Sequence, residues 1–455
     1  MKVTLASKFL SLFMGIVLFF NGISFGSPKD RVKISYEFAN EIMGSAAGTV
    51  TVEAKLGGDY YLYWGDEDDS KLTFEVGKYD VTYSEFATVE VKKGIGSTEI
   101  QSFTAIPEGA ESVLVYKNST VKAKLELPEN KITDNGEELY RFGALSDLHY
   151  NRYYLSLGDD SRTTFPNALN FLELCNVDLV AMTGDLSNNG ERDAFQKFNA
   201  TASKYDFPVY TCTGNHDVHG DGLDIDSWHE YVNTGVYGEE KCEGVADVAP
   251  NQVDFVYAPQ AANGDVFIFL SQYAWSYNSE NSRILTDAQL DWLGAQLEKY
   301  KDTTVYLFFH TFVRNLEEGG NLNMGEGNLI NSKGAHYNLI YTQGTADEVR
   351  FVNYLHEYKN VVFFNGHSHW RYAMQKYNKN LNIANYGGEY ATMVHVSSVS
   401  SPRSINSDKS KDYKDNNMKH SEGLLVTVYE NRIVINAIDF LTGKMLAFAT
   451  YNIDR

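Results

Sequence analysis

The chain has 455 residues, 43% hydrophobic and 22% charged, with a formal net charge of −21. That length exceeds one ordinary core and predicts more than one domain. The acidic balance argues against nucleic-acid duplexes and anionic membrane surfaces as partners, and a phosphate-bearing ligand then needs a local positive potential such as bound metal ions supply.

Residues 1–26 read as a signal peptide, with Lys2 and Lys8 ahead of an apolar run from Phe9 to Phe20, then Ser24-Phe25-Gly26. The run is short for a membrane span. The expected location is therefore secreted or cell-surface, with no stable transmembrane segment once the signal is removed. The competing reading is an uncleaved anchor. Three cysteines, Cys175, Cys212 and Cys242, allow at most one disulfide, and Cys175 and Cys212 sit in segments that read as core.

Residues 28–130 predict an all-β sandwich of the immunoglobulin or fibronectin type. Alternating runs at 50–55, 60–64, 87–91, 113–116 and 123–127 are separated by Gly and Asp clusters. Asp66-Glu67-Asp68-Asp69 lacks the glycine and spacing of a calcium loop and reads as a solvated turn. Residues 128–138 carry Pro128, Asn130, Asp134, Asn135 and Gly136 and read as a linker.

From 138 to 455 buried-strand runs alternate with amphipathic helices, which predicts a layered α/β domain with two mixed sheets and flanking helices. Thr286-Asp287-Ala288-Gln289 and Thr345-Ala346-Asp347-Glu348 are capping boxes that open two of those helices. Three strands, 422–429, 432–439 and 444–452, end the chain as a meander, expected to complete a second sheet.

Five apolar runs in this half each lead into a polar motif. Phe142–Leu145 leads into Asp147-Leu148-His149, and Val177–Met182 into Gly184-Asp185. Pro208–Cys212 leads into Gly214-Asn215-His216-Asp217, Val305–Phe309 into His310, and Val361–Phe364 into Gly366-His367-Ser368-His369. Ligands of open α/β sheets gather at the carboxyl ends of the strands, where every one of these motifs falls. Carboxylate, amide oxygen and neutral imidazole are borderline-to-hard donors suited to Mn, Zn, Fe or Co. The lack of paired cysteines argues against a structural zinc site. Seven candidate ligands exceed what one ion with an open position takes, and they fit two ions sharing a carboxylate.

In these motifs the sequence resembles the calcineurin-like metallophosphoesterase superfamily over about residues 140–455. The resemblance assigns one metal to Asp147, His149, Asp185 and His369 and the second to Asp185, Asn215, His310 and His367, with Asp185 bridging. It places His216 toward the substrate, oriented by Asp217. The implied reaction is phosphoester hydrolysis, of a phosphodiester or a phosphomonoester. Water activated between two divalent or trivalent ions attacks phosphorus, and His216 assists the leaving oxygen.

Departures from subfamilies narrow this. Leu186-Ser187-Asn188-Asn189 follows Asp185, so the tyrosine ligand of purple acid phosphatases is missing. The 5′-nucleotidases carry Glu where this chain has Asp217. The stretch from Gly184 to Asp217 looks most like the class III cyclic-nucleotide phosphodiesterase group, which implies a small, nucleotide-derived phosphoester. Residues 218–255 and 311–345 follow metal motifs and are read as candidate walls of the pocket. Arg152, Arg314, Arg371 and Arg403 are candidate phosphate contacts. Two other classes stay open: a non-catalytic metal-binding scaffold of the same fold, and an adhesion role for the β-domain. Nothing in the sequence specifies an oligomeric state.

Overall fold

Strand patterning and burial agree from Val32 onward. The computed structural model describes residues 19–21, 23–24, 31–150, 161–218, 232, 253–259, 264–272, 285–311, 314–315, 322–323, 346–374, 382–385, 387–403 and 420–455. Arg152, Cys242 and most of residues 218–255 and 311–345 lie outside these, as does most of the 1–26 stretch. Two compact units result: one from Met1–Phe74, Asp80–Glu137 and Met445–Asp454, the other from Glu75–Tyr79, Glu138–Lys444 and Arg455.

The strands up to Glu126, which apart from Glu75–Tyr79 belong to the first unit, are β1 (Phe19–Asn21), β2 (Ile23–Ser24), β3 (Val32–Phe38), β4 (Gly48–Ala54), β5 (Gly58–Gly65), β6 (Thr73–Val76), β7 (Tyr79–Thr82), β8 (Ala87–Val91), β9 (Ile95–Ile100), β10 (Ser112–Lys117) and β11 (Thr120–Glu126). They form two sheets, β1-β3-β4-β9 and β2-β11-β10-β5-β8, while β6 and β7 pair with each other. Period-two alternation turns Val50 and Val52 of β4, and Leu62 and Trp64 of β5, inward. Trp64 stacks on Phe86 with ring centroids 4.0 Å apart. β1 and β2 fall inside the stretch read as a signal peptide, and pair with β3 and β11. Asp66 caps its own acidic turn, its Oδ1 accepting from the amides of Asp68 and Ser70.

Residues 128–137 are packed rather than free. Lys131 is 2% exposed, and its Nζ donates to the carbonyls of Asn40 at 2.7 Å, Ile42 at 3.0 Å and Ser45 at 3.3 Å. Thr133 Oγ1 donates to the Ile106 carbonyl at 2.6 Å. Turn-forming residues mark irregular backbone, and here that backbone packs on the loops after β3 and β9 and runs to the division between the two units after Glu137.

The second unit contains β12 (Glu138–Leu145), β13 (Leu179–Met182), β14 (Val209–Thr211), β15 (Val253–Tyr257), β16 (Val266–Leu270), β17 (Val305–Phe309), β18 (Arg314–Asn315), β19 (Leu322–Asn323), β20 (Val361–Asn365), β21 (Ile383–Ala384), β22 (Thr392–His395), β23 (Glu422–Tyr429) and β24 (Arg432–Asp439). The last strand, β25 (Lys444–Asp454), groups with the first unit, where Ala105 N donates to Thr450 O at 2.9 Å. One sheet runs β14-β13-β12-β23-β24, parallel through β14, β13 and β12, then antiparallel. The other runs β15-β16-β17-β20-β22-β21, parallel from β16 to β22 with an antiparallel strand at each edge. β23 and β24 therefore complete the sheet begun by β12. The fold is a strand-rich domain joined to a mixed α/β domain.

Strands buried on both faces read as continuous apolar runs. In β17, Tyr306 and Phe308 turn to the first sheet, where Phe142 of β12 meets Tyr306 at 5.1 Å. Phe142 also meets Phe267 at 5.0 Å, and Phe308 stacks on Phe364 at 4.8 Å. Each such pair contributes about 0.5–1.5 kcal/mol beyond its buried area. The opposite face of the second sheet, with Leu307, Phe309 and Phe363, packs on the helices Asp287–Lys299 and Ala346–Glu357. The expected cap at Thr286 forms: its hydroxyl accepts from Gln289 N at 3.1 Å, and Gln289 Oε1 accepts from Thr286 N at 2.8 Å. The other expected cap begins at Thr345, outside the described residues.

A buried polar knot ties the two sheets together at the end away from the motifs. Tyr140 of β12 donates to Asp265 Oδ2 at 2.6 Å and lies 3.2 Å from the Tyr306 hydroxyl. Arg455 Nη2 reaches both oxygens of Asp265, at 2.7 and 2.6 Å. Removing one partner of a buried ion pair costs about 3–5 kcal/mol. Arg455→Ala is expected to destabilise the folded chain by about 3 kcal/mol, the lower end, because the arginine lies near the surface. Urea unfolding with an unchanged midpoint would show that the knot carries no such load.

Candidate metal centre

All five motifs follow carboxyl ends of strands. Backbone pairing continues past those ends and lines the motifs up. His149 N donates to Asp185 O at 2.9 Å, Tyr150 N to Leu186 O at 2.8 Å, and Asn188 N to Tyr150 O at 3.1 Å. From the second sheet, Gly366 N donates to His310 O at 3.0 Å.

Each of the two buried acids spends one oxygen on the scaffold and turns the other inward. Asp147 Oδ2 accepts from Ser146 Oγ at 2.5 Å and His367 N at 3.0 Å. Asp185 Oδ1 accepts from His216 N at 2.8 Å. Asp147 Oδ1 and Asp185 Oδ2 are buried and have no aligned hydrogen-bond donor. Around them the imidazole nitrogens converge. His369 Nε2 lies 3.0 Å from Asp147 Oδ1, and His149 Nε2 lies 3.5 Å from Asp185 Oδ2 and 3.0 Å from His369 Nε2. On the other side His310 Nε2 lies 3.1 Å from Asp185 Oδ2, 3.1 Å from Asn215 Oδ1 and 3.2 Å from His367 Nδ1.

Among the described residues, Asp147, His149, Asp185 and His369 form one group able to hold a metal ion, and Asp185, His310 and His367 form another. Two orphaned carboxylate oxygens facing converging ring nitrogens fit a cation rather than a hydrogen-bond network. The glycines fit the same reading. A Cβ at Gly214 would lie 2.1 Å from Asp185 Oδ1, and one at Gly366 would lie 2.8 Å from Asp147 Oδ2. Only a residue without a side chain lets these loops approach the acids.

Backbone strain concentrates here. Asp147, His149, Asp185, His367 and His369 all have positive φ, between 50° and 75°. For side chains bulkier than Gly this costs on the order of 1–2 kcal/mol each, and such strain persists where surrounding structure over-determines it.

Second partners fix the ring tautomers. His310 Nδ1 lies 3.0 Å from the Thr183 carbonyl, which accepts its proton and leaves Nε2 to point inward. His369 Nδ1 lies 3.2 Å from the Ser401 carbonyl and 3.0 Å from its hydroxyl. Ser398 Oγ donates to Asp147 O at 2.8 Å. His216 Nδ1 lies 2.7 Å from the Asn188 carbonyl, and the His216 ring is edge-on to His149 at 4.7 Å.

Burial raises the Asp147 carboxyl, but the adjacent His369 and His149 rings outweigh it, holding the group well below the ordinary range. Asp185 behaves alike: burial raises it, and His310 and His216 more than reverse this. Burial is the largest influence on His367 and His369 and pushes both down, His369 to about 3. Both rings are neutral at neutral pH, the form that donates to metals. His310 is the exception: burial lowers it, yet Asp185 beside it drives it up to about 9. Burial also lowers His216.

Asp217 is placed differently from the sequence expectation. Its Oδ1 accepts from Ser187 N at 2.8 Å and Ser187 Oγ at 3.0 Å, and its Oδ2 from Gly214 N at 2.9 Å and Leu186 N at 3.2 Å. It ties the loop after β13 to the loop after β14, while the Asn188 carbonyl sets the His216 ring. Burial, then Asp185, raises the Asp217 carboxyl to about 6. Of the arginines considered, Arg371 pairs through Nε with buried Glu422 at 3.0 Å. Arg403 N donates to His369 O at 2.6 Å. The side chain of Arg314 lies outside the described residues.

Sequence reading missed Ser146, Thr183, Asn188, Ser398 and Ser401. The first three abut the motifs, and that adjacency was the available signal. Ser398 and Ser401 lie some thirty residues past His369 without a motif, so only the fold reveals them.

Fold and site together define a hydrolase of the metallophosphoesterase class. Residues 140–371 match the calcineurin-like phosphoesterase family, and the chain belongs to it. No curated protein sequence gives a significant match. Similar solved structures include a purple acid phosphatase from yellow lupin seeds, at 13% identity and TM-score 0.40, over 94% of this chain and 74% of that one. PhoD is similar at 12% identity and TM-score 0.40, over 95% and 88% of the two chains. The NAD nucleotidase of Haemophilus influenzae is similar at 12% and TM-score 0.32, over 67% and 53%.

Proposed function

We propose that the chain hydrolyses a small phosphoester with two metal ions held by seven ligands. Asp147, His149 and His369 serve one ion, Asn215, His310 and His367 the other, and Asp185 serves both. The observation that carries this is the inward oxygen of Asp185, 3.5 Å from His149 Nε2 on one side and 3.1 Å from His310 Nε2 on the other. When bound, such a pair of ions supplies Lewis acidity toward phosphoryl oxygens and makes water nucleophilic at neutral pH.

The protein's own groups do the rest. Thr183 and Ser401 hold the ligand rings of His310 and His369 in the tautomer that presents Nε2. The Asn188 carbonyl accepts a hydrogen bond from the Nδ1–H of His216, which makes Nε2 the atom that exchanges a proton with the leaving oxygen. Asp217 keeps the loops bearing Asp185 and His216 in register.

Three measurements test this reading. Chelator-stripped protein reloaded with Mn, Zn, Fe or Co is expected to hydrolyse p-nitrophenyl phosphate or bis-p-nitrophenyl phosphate; if no metal restores turnover on either, the reading fails. Asp185→Asn is expected to lower occupancy of both ions together by elemental analysis, and full retention of one ion would remove the bridge. His216→Ala is expected to keep both metals while turnover falls by about 10²–10⁴; an unchanged rate would take His216 out of the reaction.

A further inference from the structure

The side chains that hold Asp147 form a chain of their own. Thr183 Oγ1 donates to Ser146 Oγ at 2.5 Å, and Ser146 Oγ donates to Asp147 Oδ2 at 2.5 Å. Thr183, Ser146 and Asp147 are all fully buried. The second bond has the short length of a hydroxyl on a carboxylate. An ionised carboxylate can only accept, so the serine proton is committed to Asp147 and the serine oxygen is left to accept from threonine. Aligned hydroxyls polarise one another, so the threonine strengthens a bond it does not make.

The same threonine reaches the other ligand group. Its carbonyl faces His310 Nδ1 at 3.0 Å. His367 N, from the second sheet, donates to the same Asp147 oxygen at 3.0 Å. One connected path therefore runs from His310 through Thr183 and Ser146 to Asp147, and back to the backbone of His367. Gly366 leaves room for it: a Cβ there would lie 1.9 Å from Ser146 Oγ and 2.7 Å from Thr183 Oγ1.

We propose that Thr183 and Ser146 form a hydroxyl relay that positions Asp147 for metal binding and couples the two ligand groups. Neither residue touches substrate or metal; both are positioning residues. The inference rests on the metal reading above. By occupying Asp147 Oδ2 the relay leaves Oδ1 as the oxygen a cation meets. By sharing Thr183 with His310 it makes the geometry of one group depend on the other.

Mn²⁺ titration of the metal-free full-length chain, by chelator competition, tests this with a graded series. Ser146→Ala removes the bond to the carboxylate and is expected to weaken Mn²⁺ binding by about 10–100-fold, the range for supports of metal ligands. Thr183→Val keeps the shape and removes the donor, and is expected to fall between Ser146→Ala and wild type. Thr183→Ser keeps the hydroxyl and is expected to bind as wild type does. Excess Mn²⁺ is expected to restore turnover in Thr183→Val, because no reacting group is lost, and melting of the metal-free variants checks that they fold. Thr183→Ser as weak as Thr183→Val would overturn the relay, since the methyl and not the hydroxyl would then matter. So would Ser146→Ala binding Mn²⁺ as wild type. Wild type that binds Mn²⁺ and turns over while the series is flat sinks the relay alone; wild type that binds no Mn²⁺ sinks the metal reading with it.

Discussion

Two buried carboxylates, each with one oxygen spoken for and one not, set the terms for the rest of the second unit. An ionised acid removed from water is costly unless it is paired. Asp147 and Asp185 meet that demand halfway: serine and backbone amides satisfy one side, and converging imidazoles face the other. Three histidines kept in defined tautomers, two glycines without which the loops could not close, and five residues held at positive φ all follow from keeping those oxygens aimed at one place.

The sheets explain how so many groups arrive there. Parallel strands deliver their carboxyl ends to the same edge, and two sheets face to face deliver two sets. Asp147, Asp185 and Asn215 come from the first; His310, His367 and His369 come from the second. The aromatic layer of Phe142, Tyr306, Phe308 and Phe364 fixes the spacing between the sheets. At the far end, Asp265 with Tyr140 and Arg455 does by polar bonding what the aromatic rings do by packing.

Much of this was legible in the sequence, for a physical reason. Doubly buried strands must be continuous apolar runs, and polar residues after such runs stand out, so the motifs that the fold brings together were visible in the sequence. The capping box at Thr286 was readable because its chemistry is local. What was not legible depends on distant pairing. The chain after Leu127 looks like a linker because its residues favour turns, yet the Lys131 ammonium finds three carbonyls some ninety residues earlier in the chain. Which sheet the last meander completes is not legible, because hairpin signals say nothing about which edge a hairpin joins. The sequence reading gave Asp217 the task of orienting His216, and the fold gives that task to a backbone carbonyl that no sequence pattern marks.

The positive-φ backbone at five of the candidate ligands has a consequence for how this centre can drift. In that conformation Asn and Asp are tolerated and Gly is free, while β-branched residues are excluded. The aspartates at 147 and 185 therefore have Asn and Gly as their easy neighbours, and each such step loses charge or the ligand itself. The histidines at 149, 367 and 369 have no isosteric substitute that suits the same backbone. The candidate centre is poorly placed to exchange these side chains one at a time for another donor set. A lineage that abandoned metal binding would be expected to leave asparagine or glycine behind at these positions, a scar that records the old backbone after the old chemistry has gone.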